Sequence, residues 1–112
     1  MRKLYTWAKK SKFSYEGSVV DGTKIFFGSG NQITTSSRQF SELLNHFRGK
    51  SVNIGTSRTD APIGSVGKWL QENVTKTAIA SYVGPILIHE GFATKEDGSS
   101  IIDFKSVYPG ED

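Results

Sequence analysis

Basic and aromatic side chains concentrate in the first half of the chain, and together they have the chemistry of a nucleic-acid-binding surface. Ammonium and guanidinium groups attract phosphates, and aromatic rings stack on bases. Residues 1–58 carry ten Lys and Arg against three acids, a balance of +7, whereas residues 59–112 carry four against eight, a balance of −4. Any attraction to phosphate is therefore expected to come from the first half.

The candidate nucleic-acid contacts come from the basic amino terminus, the hairpin after it, and later loops and helices. Phe26 is the aromatic candidate, because a strand that turns Ile25 and Phe27 to one face turns Phe26 to the other. A basic arm next to such a hairpin is typical of a stacking platform for unpaired bases. The predicted nucleic-acid-binding residues are Lys9, Lys10, Lys12, Lys24, Phe26, Arg48, Lys50, Arg58, Lys76 and Ser81.

Residues suited to catalysis or metal binding are few. The chain has no cysteine, which excludes disulfides and thiolate chemistry. Its two histidines, His46 and His89, lack the pattern of a zinc site or a Ser-His-Asp triad. Asp97, Asp103 and Lys105 resemble the carboxylates and lysine of metal-dependent nucleases, but the spacing is short and alternating charges are common on strands. We therefore expect no enzyme, no metal site and no cofactor.

The amino-terminal third predicts a small antiparallel sheet that presents the candidate residues. Residues 1–12 are expected to form a basic arm. Asp21 and Gly22 are typical of a two-residue hairpin turn, which requires a positive φ at Gly22. The predicted meander covers residues 13–35, with strands at 13–20, 23–27 and 32–35 and turns at 21–22 and 28–31. The side chains expected to give this sheet its share of the core are Phe13, Tyr15, Ile25 and Phe27.

Helical periodicity dominates the rest of the chain. Ser36 or Ser37 is expected to cap the first helix and Ser65 the second. The third helix is predicted to begin at Thr75 and to bend at Gly84-Pro85, with strand as the alternative. The helices are predicted at residues 38–48, 66–73 and 75–90, and short strands at 51–55, 92–95 and 100–104. The third helix is expected to pack through Ile79, Tyr82, Val83, Ile86 and Leu87, and to turn Lys76, Thr77, Ala80, Ser81 and Ile88 outward.

From residue 37 to residue 105 this order of elements resembles a winged helix-turn-helix domain. The first helix is SSRQFSELLNHF, the second VGKWLQEN, the third TKTAIASYVGPILIHEGF, and ATKEDGSSIIDF is the wing. Together with the predicted meander, the resemblance gives an α+β fold, a small N-terminal antiparallel β-meander followed by a winged-helix-like helix-strand-helix-helix-hairpin arrangement. It also implies that the third helix enters the major groove of DNA, with Lys76 and Ser81 outward. Only one of the outward residues is basic, so this part of the resemblance is the weaker one.

Length and composition complete the expectations. A chain of 112 residues with 36% hydrophobic and 22% charged residues is typical of one globular domain. The longest apolar run, at 85–88, is far too short to span a bilayer, and nothing resembles a signal peptide. We expect a single cytoplasmic domain over residues 1–112, with a frayed tail at 106–112 and no membrane contact. Its function is expected to be non-catalytic and regulatory, with DNA as the favoured nucleic acid and RNA left open. The alternative is a protein-interaction module whose partner binds the acidic second half.

Overall fold

A computed structural model describes residues 1–104 as an α+β fold with two antiparallel sheets and three helices. The expected frayed tail at 106–112 and Lys105 lie outside the described residues. The elements are β1 (Arg2–Tyr5), β2 (Lys12–Ser18), β3 (Gly22–Phe27), β4 (Asn31–Ser36), α1 (Ser37–Phe47), β5 (Ser51–Asn53), α2 (Val66–Asn73), α3 (Ala80–His89) and β6 (Ile101–Asp103). The predicted class, a meander followed by helices and a small sheet, is confirmed.

The first sheet has four strands in the order β1-β2-β3-β4, one more than predicted. The expectation of a basic arm over residues 1–12 is wrong for its first part, because Arg2–Tyr5 pairs antiparallel with β2. Leu4 lies opposite Phe13 in this ladder and packs against the core. Burial of the Leu4 side chain against the core stabilises the pairing of β1 with the sheet.

The β2–β3 hairpin is present, but its turn is longer than two residues. Ser18 pairs with Gly22, so residues 19–21 form the connection. Gly22 has a φ of 97°, which confirms the expected left-handed conformation. The turn is longer because Val19 is buried at 2% exposure and donates its N–H to Glu90 Oε1 at 2.9 Å. A contact to α3 thus takes Val19 out of the ladder.

The first two helices begin where their serines predict. Ser36 caps α1 in a capping box: its hydroxyl accepts from the Gln39 N–H, and the Gln39 side chain accepts from the Ser36 N–H. Ser65 caps α2 through the Lys68 N–H at 3.1 Å. The apolar stripe of α1 is buried against the sheet, with Phe40 and Leu43 at 0% exposure. The starts of α1 and α2 depend on residues within the first turn, and both were therefore predicted from the sequence.

The third helix begins at Ala80, so the expected start at Thr75 is wrong. The N–H groups of Val74 and Thr75 both bond to the carbonyl of Leu70 and close α2 instead. Ala80 is buried at 0% exposure, which also corrects its expected outward position. The predicted core positions Ile79 and Val83 are fully buried, as are Ile86 and Leu87, while Tyr82 is half-buried against the core.

The second sheet joins β5 and β6, with Val52 opposite Ile102. The strand expected at 92–95 is reduced to a single antiparallel bridge between Thr94 and Asp103. Along residues 37–104 the order helix, strand, helix, helix agrees with the prediction, but the predicted final hairpin is wrong, because β6 pairs with β5. No helix in the described part of the chain is long and apolar enough to cross a bilayer.

Candidate nucleic-acid interface

The four-stranded sheet has one face packed on the helices and one face open. The inner face carries the predicted core side chains: Phe13, Tyr15 and Ile25 are at most 3% exposed, and Phe27 packs against them. The side chains of the opposite face are exposed or half-buried. We call this surface the outer face; its residues are Lys3, Tyr5, Lys12, Ser14, Glu16, Lys24, Phe26, Gln32 and Thr34.

Phe26 lies near the middle of the outer face. It is half-buried and, unlike its neighbour Phe27, does not pack against the hydrophobic core. The register places Ser14 beside it on β2 and Gln32 beside it on β4. An aromatic ring in this position can stack on a base, and the two hydrogen-bonding side chains beside it can contact the edge of that base.

Three lysines surround this ring on three different strands. Lys3, Lys12 and Lys24 are all exposed, and within residues 1–104 none of them belongs to an ion pair. The ammonium group of Lys12 lies 5.1 Å from the ring centre of Tyr5, its cross-strand partner. Glu16 is the one acid among the outer-face residues and lies opposite Lys24. The outer face is therefore positively charged overall.

A cleft of about 370 Å³ opens at one end of this face. The pairing of β2 with β3 ends at Ser14 and Phe26. Beyond that pair, β2 stays with β1 as far as Lys12, and β3 stays with β4 as far as Phe27. The two central strands thus separate, and the cleft lies between their ends; we call it the β2–β3 cleft.

Glu90, at the end of α3, fixes the sheet against the helices. Its carboxylate accepts from the Tyr15 hydroxyl at 2.6 Å and from the Val19 N–H at 2.9 Å. Burial and this hydrogen bond to Glu90 raise the pKa of Tyr15 to about 12, and the guanidinium of Arg2, 5.0 Å from the Tyr15 ring centre, opposes the shift. One carboxylate thus holds the inner face of β2 and the β2–β3 turn in place.

Lys9 and Lys10 lie in the β1–β2 loop rather than on the sheet. Lys9 contacts Asp97 at 3.2 Å, an exposed ion pair. The loop is docked on residues 95–99: the Trp7 indole N–H donates to the Ser99 carbonyl at 3.0 Å, and Lys95 donates to the Trp7 carbonyl at 2.7 Å. Burial, and then the charge of Lys9, lower the pKa of Lys95. The second part of the expected basic arm, residues 6–11, is therefore an ordered loop with its own partners.

The remaining basic candidates of the first half lie on other elements. Arg48 ends α1, Lys50 lies between α1 and β5, and Arg58 is in the loop before α2. All three are exposed. The Lys50 carbonyl accepts from Phe104 and the Arg58 carbonyl from Gln71, so the backbone at these positions is held in place.

The candidates attributed to the third helix are not on an open helical face. Lys76 precedes α3, in the segment between α2 and α3. Ser81 is half-buried, and its carbonyl accepts from the Trp7 N–H at 3.0 Å. Every residue of α3 from Ala80 to Ile88 is buried or half-buried, and only His89 is exposed. The helix is packed beneath the sheet, where Tyr82 contacts Phe13 and Phe27.

In the acidic second half, the carboxylates of Glu90 and Asp97 make internal contacts: Glu90 holds the sheet, and Asp97 pairs with Lys9. Within residues 1–104 no group of three or more His, Asp or Glu side chains could hold a metal ion. His46 is exposed, with its ring edge against Phe47 at 4.7 Å between ring centres.

The structure thus brings together Lys12, Lys24 and Phe26 from the predicted set, and it adds residues that the sequence did not indicate. Lys3 and Tyr5 were missed because β1 was not recognised. The alternation of Lys3, Leu4 and Tyr5 was the available signal, but three residues next to a terminus give a weak pattern. Comparisons of the chain with models of protein families, with curated proteins and with solved structures give no match. Function therefore has to be inferred from the site itself.

Proposed function

We propose that this protein binds single-stranded nucleic acid, without catalysis, across the outer face of its four-stranded sheet. One observation carries the proposal: Phe26 lies outside the core on a central strand, with Lys3, Lys12 and Lys24 around it. An aromatic ring that does not pack in the core of a small protein contributes interaction energy only when a ligand stacks on it. Bases and phosphates match the ring and the lysines together.

The geometry favours a single strand over a duplex. Stacking on Phe26 needs a base whose face is free, and bases in a duplex are already stacked on each other. Reading the major groove with a helix would need that helix to be exposed. The helix to which the winged-helix resemblance gives that role, α3, is buried or half-buried from Ala80 to Ile88.

The distribution of charge indicates how affinity should respond to salt. Lysines on β1, β2 and β3 can each neutralise one phosphate of a strand that crosses the sheet. Removing one of these lysine–phosphate pairs should make the slope of log affinity against log salt shallower by about 0.7 for a single strand. Both DNA and RNA offer phosphates and unpaired bases, so the two are compared as separate ligands.

The test is fluorescence anisotropy with labelled single-stranded DNA, single-stranded RNA and duplex DNA at several salt concentrations. Wild-type protein should bind a single strand more tightly than the duplex and lose affinity steeply with salt. The triple variant Lys3→Gln, Lys12→Gln, Lys24→Gln should bind weakly with a shallower salt slope. Phe26→Leu should weaken binding by roughly tenfold, since base–aromatic stacking contributes about 1–3 kcal/mol per base, and should keep the slope.

A matched control removes three exposed cations elsewhere: Lys50→Gln, Arg58→Gln, Lys76→Gln. This variant has the same net charge as the outer-face triple but should retain most of the affinity. An equal decrease of affinity in the two triples would show that only net charge matters and would overturn the outer face as the site. Wild-type protein that binds none of the three ligands in a salt-dependent way would eliminate nucleic-acid binding and favour the protein-interaction alternative.

A further inference from the structure

We infer that the β2–β3 cleft is a subsite for one unpaired nucleotide and that it gives the outer face a preference among bases. This inference rests on the proposed function and adds to it. The rest of the outer face binds phosphates and stacks bases of any sequence, whereas the cleft is an open depression lined by groups that can contact the edge of one base.

The cleft forms where the pairing between β2 and β3 stops. In a regular ladder Phe13 and Phe27 would be the next partners after Ser14 and Phe26, but the β2–β3 pairing stops before them. Both phenylalanines are held from the inner side by Tyr82, with ring centres at 5.1 and 4.7 Å. The strand ends are thus kept in place by helix α3 while they remain apart from each other. The packing of the strand ends on α3 therefore sets the opening.

The residues that line the cleft match the chemical groups of a nucleotide. Phe26 forms an aromatic wall, and Lys3 and Lys12 stand on the strands at the other side. Asn31, opposite Phe27 at the start of β4, is also in the lining, and its amide group has a donor and an acceptor side by side. A volume of about 370 Å³ is at the low end of the range for small-ligand pockets, about 300–1,000 Å³. It suits one nucleotide, with its base on Phe26, its phosphate at the lysines and its base edge toward Asn31.

The turn between β3 and β4 contributes two glycines to the cleft. Gly28 and Gly30 both line the cleft and both have positive φ, 57° and 88°. They differ in their surroundings: a Cβ on Gly28 would lie 2.9 Å from the Asn31 side-chain nitrogen, whereas a Cβ on Gly30 would meet nothing within 4 Å. Gly28→Ala therefore displaces the Asn31 amide, whereas Gly30→Ala also places alanine at a positive φ, farther from the left-handed helical region, without touching that amide. The chain supplies its own matched control.

The experiment measures the affinity of wild-type, Gly28→Ala, Gly30→Ala and Asn31→Ala protein for labelled dA, dT and dC homopolymers at several salt concentrations. Wild-type protein should prefer one homopolymer. Gly28→Ala and Asn31→Ala should lower affinity for that polymer by about tenfold, the usual effect of removing a bidentate hydrogen bond between an amide and a base, and should remove the preference. Their salt slopes should match that of the wild type, because no lysine is changed. Gly30→Ala should keep the preference.

The outcomes separate this inference from the proposed function. Salt-dependent binding without any preference among the homopolymers, or a preference that survives in Asn31→Ala, would overturn the nucleotide subsite and leave the outer face as a nonspecific surface. Failure of the wild type to bind any of these homopolymers would overturn the subsite, and failure to bind single-stranded RNA as well would overturn the proposed function. Urea unfolding of each variant identifies loss of fold, and Asn31→Ala keeps the test valid if Gly28→Ala does not fold, since it introduces no strain at a positive φ.

Discussion

Tyr15 shows how a single buried hydroxyl links the sheet to the helices. Its side chain is at 0% exposure, and its hydroxyl donates to the Glu90 carboxylate at 2.6 Å. Tyr15→Phe would leave one carboxylate oxygen without that donor in a largely apolar setting. Removing a hydrogen bond to a charged group lowers the free energy of unfolding by about 1.5–3 kcal/mol. The residue is thus part of the structure on which the outer face rests.

The raised pKa of Tyr15 predicts how this contribution depends on pH. The pKa rises from 10.0 to about 12 on folding, so the folded state holds the proton more tightly than the unfolded state. The stabilisation is complete below pH 10 and is lost as the pH rises from 10 toward 12. Wild-type protein should be more stable than Tyr15→Phe at neutral pH, and the difference should shrink across that window.

Urea unfolding of both proteins at a series of pH values checks this prediction. Tyr82, whose pKa is also raised by burial, and Lys95, whose pKa is lowered, titrate in both proteins. The difference between the two curves therefore isolates Tyr15. The exposed residue Tyr5 serves as the control, and Tyr5→Phe should follow the wild type throughout. A constant difference between wild type and Tyr15→Phe across the window would contradict the prediction.

At the scale of elements, α3 is shaped by Gly84, where the Trp7 ring packs directly against the helix. A Cβ at this position would lie 2.7 Å from Trp7 Cε3 and 2.9 Å from Ile54 Cδ1. The indole has little freedom to move away, because its N–H bonds to Ser99 and Lys95 lies 4.3 Å from its ring centre. Gly84 therefore permits the close approach of the β1–β2 loop to α3.

Gly84→Ala should destabilise the protein, although it replaces glycine within a helix. Alanine gains about 1 kcal/mol in helix propensity over glycine. Overpacking a well-filled core costs about 1–3 kcal/mol, and the rigid Trp7 ring places this site toward the upper end. The midpoint of urea unfolding should fall, and Trp7 fluorescence should change. Asn45→Ala, on the exposed side of α1, is the propensity control and should not lower the midpoint. A more stable Gly84→Ala would mean that Trp7 moves aside.

The same elements show what the sequence could and could not indicate. Ser36 and the stripe of Phe40, Leu43 and Phe47 identify α1 because capping and periodicity act within a few residues. The side of Phe26 followed from the alternation of a strand. Features that depend on partners in other elements were missed or misplaced.

The misplaced features share one physical cause, which is contact between one element of the fold and another. Strand β1 forms because Leu4 meets Phe13, and the β2–β3 turn is lengthened because Val19 meets Glu90, 71 residues away. The start of α3 is delayed because the N–H of Thr75 bonds back to α2. The β2–β3 cleft depends on where a ladder ends, which no local pattern specifies. These contacts decide the shape of the candidate site.

The meander and the helical part are expected to behave as one cooperative unit. A continuous set of buried side chains includes Phe13 and Ile25 from the sheet, Phe40 from α1, Leu70 from α2 and Ile102 from β6. The β1–β2 loop is bonded to residues 95–99, and Glu90 holds both Tyr15 and Val19. We therefore expect the sheet and the helices to unfold together, so that the outer face cannot keep its shape without α3.

The two tryptophans allow a direct test, because they report on different parts of this structure. Trp7 lies in the β1–β2 loop, and Trp69 lies on α2 with its ring centre 6.5 Å from that of Phe47. In Trp69→Phe, fluorescence follows Trp7, and in Trp7→Phe it follows Trp69. Within each variant the urea transition by fluorescence should coincide with that by far-UV circular dichroism, as two-state unfolding requires. A single-stranded ligand should shift both probes of Trp69→Phe equally, since binding to the folded state stabilises the whole unit. Transitions that separate, with the Trp7 signal changing before the helices unfold, would show that the outer face can unfold while residues 37–104 stay folded.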